Sequence, residues 1–124
     1  MTPLSVEGRR LNAGVLIIVA GEVDATNAEY LKSRIDGLHR PGQALVLDLS
    51  GLAFLDSSGL AVLIGAAERA HGAVLHLAGP HSRVRRLLEI TGAWQAMTVH
   101  ESVEQAIAAV EVLDYGERPK PAER

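Results

Sequence analysis

Apolar residues along the chain change their period several times, and each change marks a predicted element. Leu4 to Arg10 has the character of an irregular edge strand, Asn12-Ala13-Gly14 that of a turn, and Val15-Leu16-Ile17-Ile18-Val19-Ala20 that of a stronger strand. A short turn containing Asn and Gly between two such runs predicts an antiparallel hairpin. Ala28, Leu31, Ile35 and Leu38 then recur at helical spacing, with Thr26 and Glu29 spaced as a capping box at the start and Pro41-Gly42 as a break after the end. Ala44-Leu45-Val46-Leu47-Asp48-Leu49 predicts a largely buried strand. Leu60, Leu63, Ile64 and Ala67 predict a second helix that Gly72 ends.

The second half repeats this alternation. Ala73-Val74-Leu75-His76-Leu77-Ala78 reads as a strand stopped by Gly79-Pro80, and His81 to Thr91 as a shorter helix with Val84, Leu87, Leu88 and Ile90 on one stripe and Gly92 as its C-terminal cap. A weak strand near Met97 to Val99 follows. Ser102 with Gln105 forms a second capping box, ahead of a last helix with Val103, Ala106, Ile107 and Val110 inward. From Gly116 onward there is charge and proline but nothing to bury, which predicts a disordered tail over 116–124 after a domain over 1–115. The order β-β-α-β-α-β-α-β-α predicts an α/β fold: a mixed, mostly parallel sheet of about five strands with about four helices, joined by right-handed crossovers.

Composition narrows the class. At 124 residues the chain is one domain, and 48% hydrophobic with 22% charged residues is the balance of a globular protein. Aromatic residues make up only 3%, so Leu, Val, Ile and Ala must build the core, which suits a parallel sheet covered by helices. A net charge of −3 supplies no broad basic field, arguing against nucleic acid as a partner. The absence of cysteine excludes disulfides, thiolate metal sites and thiol chemistry. The start, Met1-Thr2-Pro3-Leu4-Ser5, lacks the pattern of a signal peptide, and no apolar run approaches the ~18 residues of a spanning helix. The expectation is a cytoplasmic protein with no membrane contact.

Chemistry concentrates at Leu55-Asp56-Ser57-Ser58-Gly59-Leu60, where a strand pattern gives way to a helical one. Ser58 falls at a helix N-terminus, where unpaired N–H groups and a partial positive charge tolerate an added anion. The plainest reading of the same residues is that Asp56 or Ser57 caps the helix. In a mostly parallel sheet the loop holding Asp24 and the loop holding Ser58 leave by the same edge, the edge at which such sheets bind ligands. Glu22, Asp24 and Asp56 are then expected to form an acidic rim around Ser58.

Gly21-Glu22-Val23-Asp24 closing one strand, and Asp56-Ser57-Ser58-Gly59-Leu60 opening a helix roughly 35 residues later, together resemble the STAS domain, specifically the stand-alone anti-sigma factor antagonists. The resemblance covers about residues 4 to 113. It implies that Ser58, the serine before the glycine, is phosphorylated by a partner kinase; with the rim expected at the same sheet edge, Glu22, Asp24, Asp56, Ser57, Ser58 and Gly59 are the expected partner-binding residues. It further implies a binding protein rather than an enzyme: its dephospho form binds an anti-sigma factor that is itself an ATP-using serine kinase, a sigma factor is released, and a metal-dependent serine phosphatase resets the cycle. No cofactor is implied, since Mg-ATP belongs to the kinase. The alternative is a STAS accessory subunit docked permanently on an ABC transporter ATPase.

Other constellations carry less. No two of the five histidines show the i, i+4 spacing of a zinc helix, so no metal site is expected. A hydrolase reading of Ser58 meets Asp56 where a nucleophile elbow needs glycine, and no base is identifiable. Arg83, Arg85 and Arg86 read as a solvated helix face, and no phosphate-cradling glycine-rich loop is present. For Trp94, packing under the last helix and half-exposure at an interface are both open.

Overall fold

A computed structural model describes residues 2–70 and 74–117, the side chains of 112–117 excepted. Five strands, β1 (Ser5–Arg10), β2 (Gly14–Val23), β3 (Ala44–Leu55), β4 (Leu75–Ala78) and β5 (Met97–His100), lie side by side in chain order. β1 pairs antiparallel with β2, and every later pairing is parallel. Leu11 N–H closes the β1–β2 turn on Gly14 O, giving the expected hairpin. Helices α1 (Ala28–Leu38), α2 (Ser57–Arg69), α3 (Ser82–Thr91) and α4 (Val103–Glu117) complete the order anticipated from periodicity. The expected stop at Gly72, the strand start at Ala73 and residues 118–124 of the expected tail lie outside the described residues.

The sheet has a buried layer on each face. Val15, Ile17, Val19 and Val23 of β2 join Leu45, Leu47, Leu49, Leu52 and Leu55 of β3 under α1, α2 and α3, which contribute Leu31, Ile35, Leu60, Leu63, Val84 and Leu88. Leu16, Val46 and Ala78 face the other way, onto Ala106 and Val110 of α4. Leu63 is among the fully buried side chains, and Ile64 packs at the margin of the same core.

β3 runs six residues beyond the strand expected from Ala44 to Leu49, for a reason legible only in the pairing. Against β2 it carries two extra residues, one between Asp48 and Gly51 and one between Leu52 and Phe54. Each bulge keeps the next leucine on the same face, so Leu49, Leu52 and Leu55 are all buried at a spacing of three, and strand alternation is lost. Asp48 stabilises the first bulge by accepting hydrogen bonds at Oδ1 from the Ser50 N–H (3.0 Å) and hydroxyl (2.7 Å).

Two helix starts differ from each other. The Thr26–Glu29 capping box does not form, because Asp24 has already taken both the N–H and the hydroxyl of Thr26; Asn27 occupies the cap position without a side-chain cap bond. At α4 Ser102 Oγ does accept from the Gln105 N–H (3.2 Å), while the Gln105 amide oxygen reaches the Glu101 N–H rather than that of Ser102. On α3, Ile90 is 69% exposed rather than inward, since the stripe of Val84, Leu87 and Leu88 has turned away from it by that position. Gly92 caps α3 in the left-handed region at φ 76°, and a single 3-10 turn, Ala93–Ala96, follows with Trp94 half-exposed.

His76 is nearly fully buried on the α4 side of the sheet, with Nδ1 2.9 Å from Nε2 of His100 and the two rings stacked. Burial, and secondarily the charge of His100, hold the His76 imidazole below its ordinary pKa of 6.5. The unfolded chain therefore takes up a proton near pH 6.5 that the folded chain accepts only at lower pH, and stability present above that value is lost as the pH falls through it. The melting temperature is expected to drop between pH 7 and 5, and to drop less steeply in His76→Leu; equal slopes would remove His76 as the cause. Truncating the buried Leu63 to Ala should cost about 2–5 kcal/mol through the cavity left behind, as read by urea denaturation.

Candidate functional site

The site is assembled at the ends of β2 and β3. Val23 pairs with Leu55, and the Asp56 N–H bonds to Val23 O at 3.3 Å, so the chain leaves both strands side by side at the same sheet edge. Asp24 and Asp56 occupy corresponding positions, each one residue past the pair. Asp24 is held by its loop: the Thr26 hydroxyl and then the Thr26 N–H lower its pKa, while Asn27 accepts from the Asp24 N–H and donates to Glu22 O.

Asp56 is the N-cap of α2. Its Oδ1 accepts from the Ser58 N–H (2.9 Å) and the Gly59 N–H (3.2 Å), and its carbonyl accepts the first helical bond from Leu60. Two of the first-turn donors that the sequence suggested as an anion site are thus already occupied by a carboxylate, and the capping reading holds. Among the described residues the Ser57 N–H is the first-turn donor left without a partner.

Gly59, expected at the partner surface, is buried and positions the helix instead. A Cβ there would stand 2.4 Å from Leu55 Cδ1 and 2.8 Å from Val23 Cγ1, so only glycine lets the first turn of α2 sit directly on the two strand ends. That contact leaves Ser57 exposed and Ser58 half-exposed. Glu22 alternates with the buried Val23 and faces the other side of the sheet, away from the α1–α2 face. The acidic groups at the Ser58 edge are therefore Asp24 and Asp56.

Ser58 stands at one end of a groove of about 480 Å³ between α1 and α2. Across it lie Glu29 and Lys32 of α1, which sequence reasoning missed; the available signal was their place beside the buried stripe Ala28, Leu31, Ile35. Asp36 of α1 closes the far end through ion pairs with Lys32 (3.0 Å) and with Arg69 of α2. Among the described residues no cluster of three or more His, Cys, Asp or Glu side chains suits a metal ion.

A five-stranded mixed sheet with three helices on one face and one on the other, carrying a partly exposed Asp-Ser-Ser turn at the start of α2, defines the class of fold. The STAS domain model matches residues 6–106, and the chain belongs to that family. It is similar to an anti-sigma F factor antagonist of Paenibacillus polymyxa, 30% identical over 81% of this chain and 90% of the relative. Among solved structures it is similar to an anti-sigma factor antagonist from Mycobacterium paratuberculosis, at 26% identity and a TM-score of 0.74, covering 88% of this chain and 95% of that one. The same fold is found in SpoIIAA, a Bacillus cell fate determinant solved in its phosphorylated form, at 21% identity and a TM-score of 0.65, covering 86% of this chain and 99% of that one.

Because the Asp56 carboxylate holds the first turn of α2 in place, Asp56→Ala is expected to cost about 0.5–2 kcal/mol of stability in urea, with Asp56→Asn costing less. A neutral Asp56→Ala would mean that the cap bonds are not made in solution.

Proposed function

We propose that this chain is an anti-sigma factor antagonist switched by phosphorylation at Ser58. The observation that carries the reading is Ser58 itself: a half-exposed hydroxyl in the first turn of α2, on a turn that Asp56 and Gly59 hold rigidly at the sheet edge. The names of the relatives support it. In its unphosphorylated form the protein binds an anti-sigma factor and so frees a sigma factor. The anti-sigma factor is a serine kinase that transfers phosphate from Mg-ATP to Ser58, and a metal-dependent serine phosphatase removes it. The chain itself is a substrate and a binding protein rather than an enzyme, needs no cofactor, and works in the cytoplasm. Ser57, Asp24 and Asp56 surround Ser58 in the contact.

Phosphoserine adds about −1.5 to −2 charges near neutral pH. The helix dipole offsets only part of this, typically ~0.3–1 kcal/mol, and here Asp56 already draws on the first-turn donors. In the free domain water solvates the new charge and the fold is unaffected. In the complex the same group loses water beside Asp24 and Asp56, and association fails without refolding.

Incubation with the cognate kinase and Mg-ATP should place one phosphate on Ser58, mapped by mass spectrometry. Ser58→Glu should weaken binding of the anti-sigma factor at least about tenfold, or ~1.4 kcal/mol, with an unchanged circular dichroism spectrum. Ser58→Ala should bind constitutively. Label on Ser57, or amide resonances shifted far from residue 58 on phosphorylation, would overturn the local mechanism. Indifference of binding to Ser58→Glu would instead indicate a permanent structural contact.

A further inference from the structure

Helix α2 carries a glycine for which the domain itself shows no need. Gly65 lies in the helix interior without a left-handed φ, and a Cβ built on it meets nothing within 4 Å beyond its chain neighbours and the helix's own backbone. Glycine is among the poorest residues in a helix interior, so alanine would fit and would stabilise the helix. This contrasts with Gly59, where a Cβ would run into the buried Leu55 and Val23 side chains.

Gly65 lines the groove between α1 and α2, which also presents Ala28, Ile35, Val62 and Ala66 and has Ser58 at one end. The charges around it are unequal. Asp36 is matched by Lys32 and Arg69, whereas Glu29 and Glu68 have no ion-pair partner among the described residues. An apolar groove kept open by a glycine and left net acidic fits an occupant that is apolar with a flanking cation.

We infer that the groove receives an amphipathic segment of the anti-sigma factor, with a bulky aliphatic or aromatic side chain seated over Gly65 and a Lys or Arg against Glu68. The inference rests on the reading of Ser58 as the switch and extends it by naming what the switch controls. Ser58 is seven residues from Gly65, roughly 10 Å along the helix. A phosphoryl group there must keep its water, and a segment closing over the groove would strip it. The cation at Glu68 lies ten residues from Ser58, roughly 15 Å along the helix and beyond the ~8 Å screening length at physiological salt, so it does not rescue binding by pairing with the phosphate.

The test is the Kd of the purified anti-sigma factor for wild type, Gly65→Ala, Gly65→Leu, Glu68→Lys and Ser58→Glu, with melting temperatures measured in parallel. Gly65→Leu is expected to bind at least tenfold more weakly while melting near wild type. Gly65→Ala should melt at or above wild type yet bind more weakly, and Glu68→Lys should also lose affinity. Wild-type affinity in a folded Gly65→Leu overturns the inference; if that variant does not fold, wild-type affinity in Gly65→Ala does so. Loss in Ser58→Glu with no loss at Gly65 removes the groove and leaves the switch standing. Loss at Gly65 with none in Ser58→Glu removes the switch and keeps the groove. No binding by wild type overturns both.

Discussion

The parallel pairing of β2 with β3 is the constraint from which the site follows. Because Val23 and Leu55 end up paired, the segments that leave the two strands begin next to each other, and so do α1 and α2. Two bulges in β3 make this possible by letting a longer strand keep Leu49, Leu52 and Leu55 on one face while tracking a shorter partner. Gly59 then allows α2 to settle on the strand ends, and the space between the two helices becomes the groove beside Ser58.

This arrangement separates what must stay fixed from what must change. The residues that hold the first turn of α2, the Asp56 carboxylate and the Gly59 contact, use backbone groups and packing already present before any partner binds. The Ser58 hydroxyl takes no part in that support, so the phosphate proposed for it would leave the cap bonds in place. The other face of the sheet, on which α4 packs, has its own core and carries the contact between His76 and His100. A switch of the kind proposed for Ser58 would alter a surface while the fold beneath stays constant.

Much of the fold was legible because it depends on local periodicity. The four helices and five strands follow from apolar spacing, and the helix ends at Gly92 and the start at Ser102 follow from residue types with strong backbone preferences. Other features were not legible, because another residue competed for the same atoms or another strand set the register. Thr26 looked like a cap, yet Asp24 engages its hydroxyl; β3 lost its alternation only because of its pairing with β2; Ile90 matched an apolar count but had rotated off the buried stripe.

At the site the division is the same. The order and residue types around Asp56-Ser57-Ser58-Gly59 determined, from sequence alone, that a serine stands at the first turn of a helix at the edge where the parallel strands of an α/β sheet end. Whether Gly59 contacts a partner or the core, which side Glu22 faces, and that Glu29 and Lys32 lie across from Ser58 were decided only by tertiary structure. The first set depends on neighbours within one or two turns of chain. The second depends on atoms brought together by β2–β3 pairing from segments some thirty residues apart, a distance over which local preference carries no information.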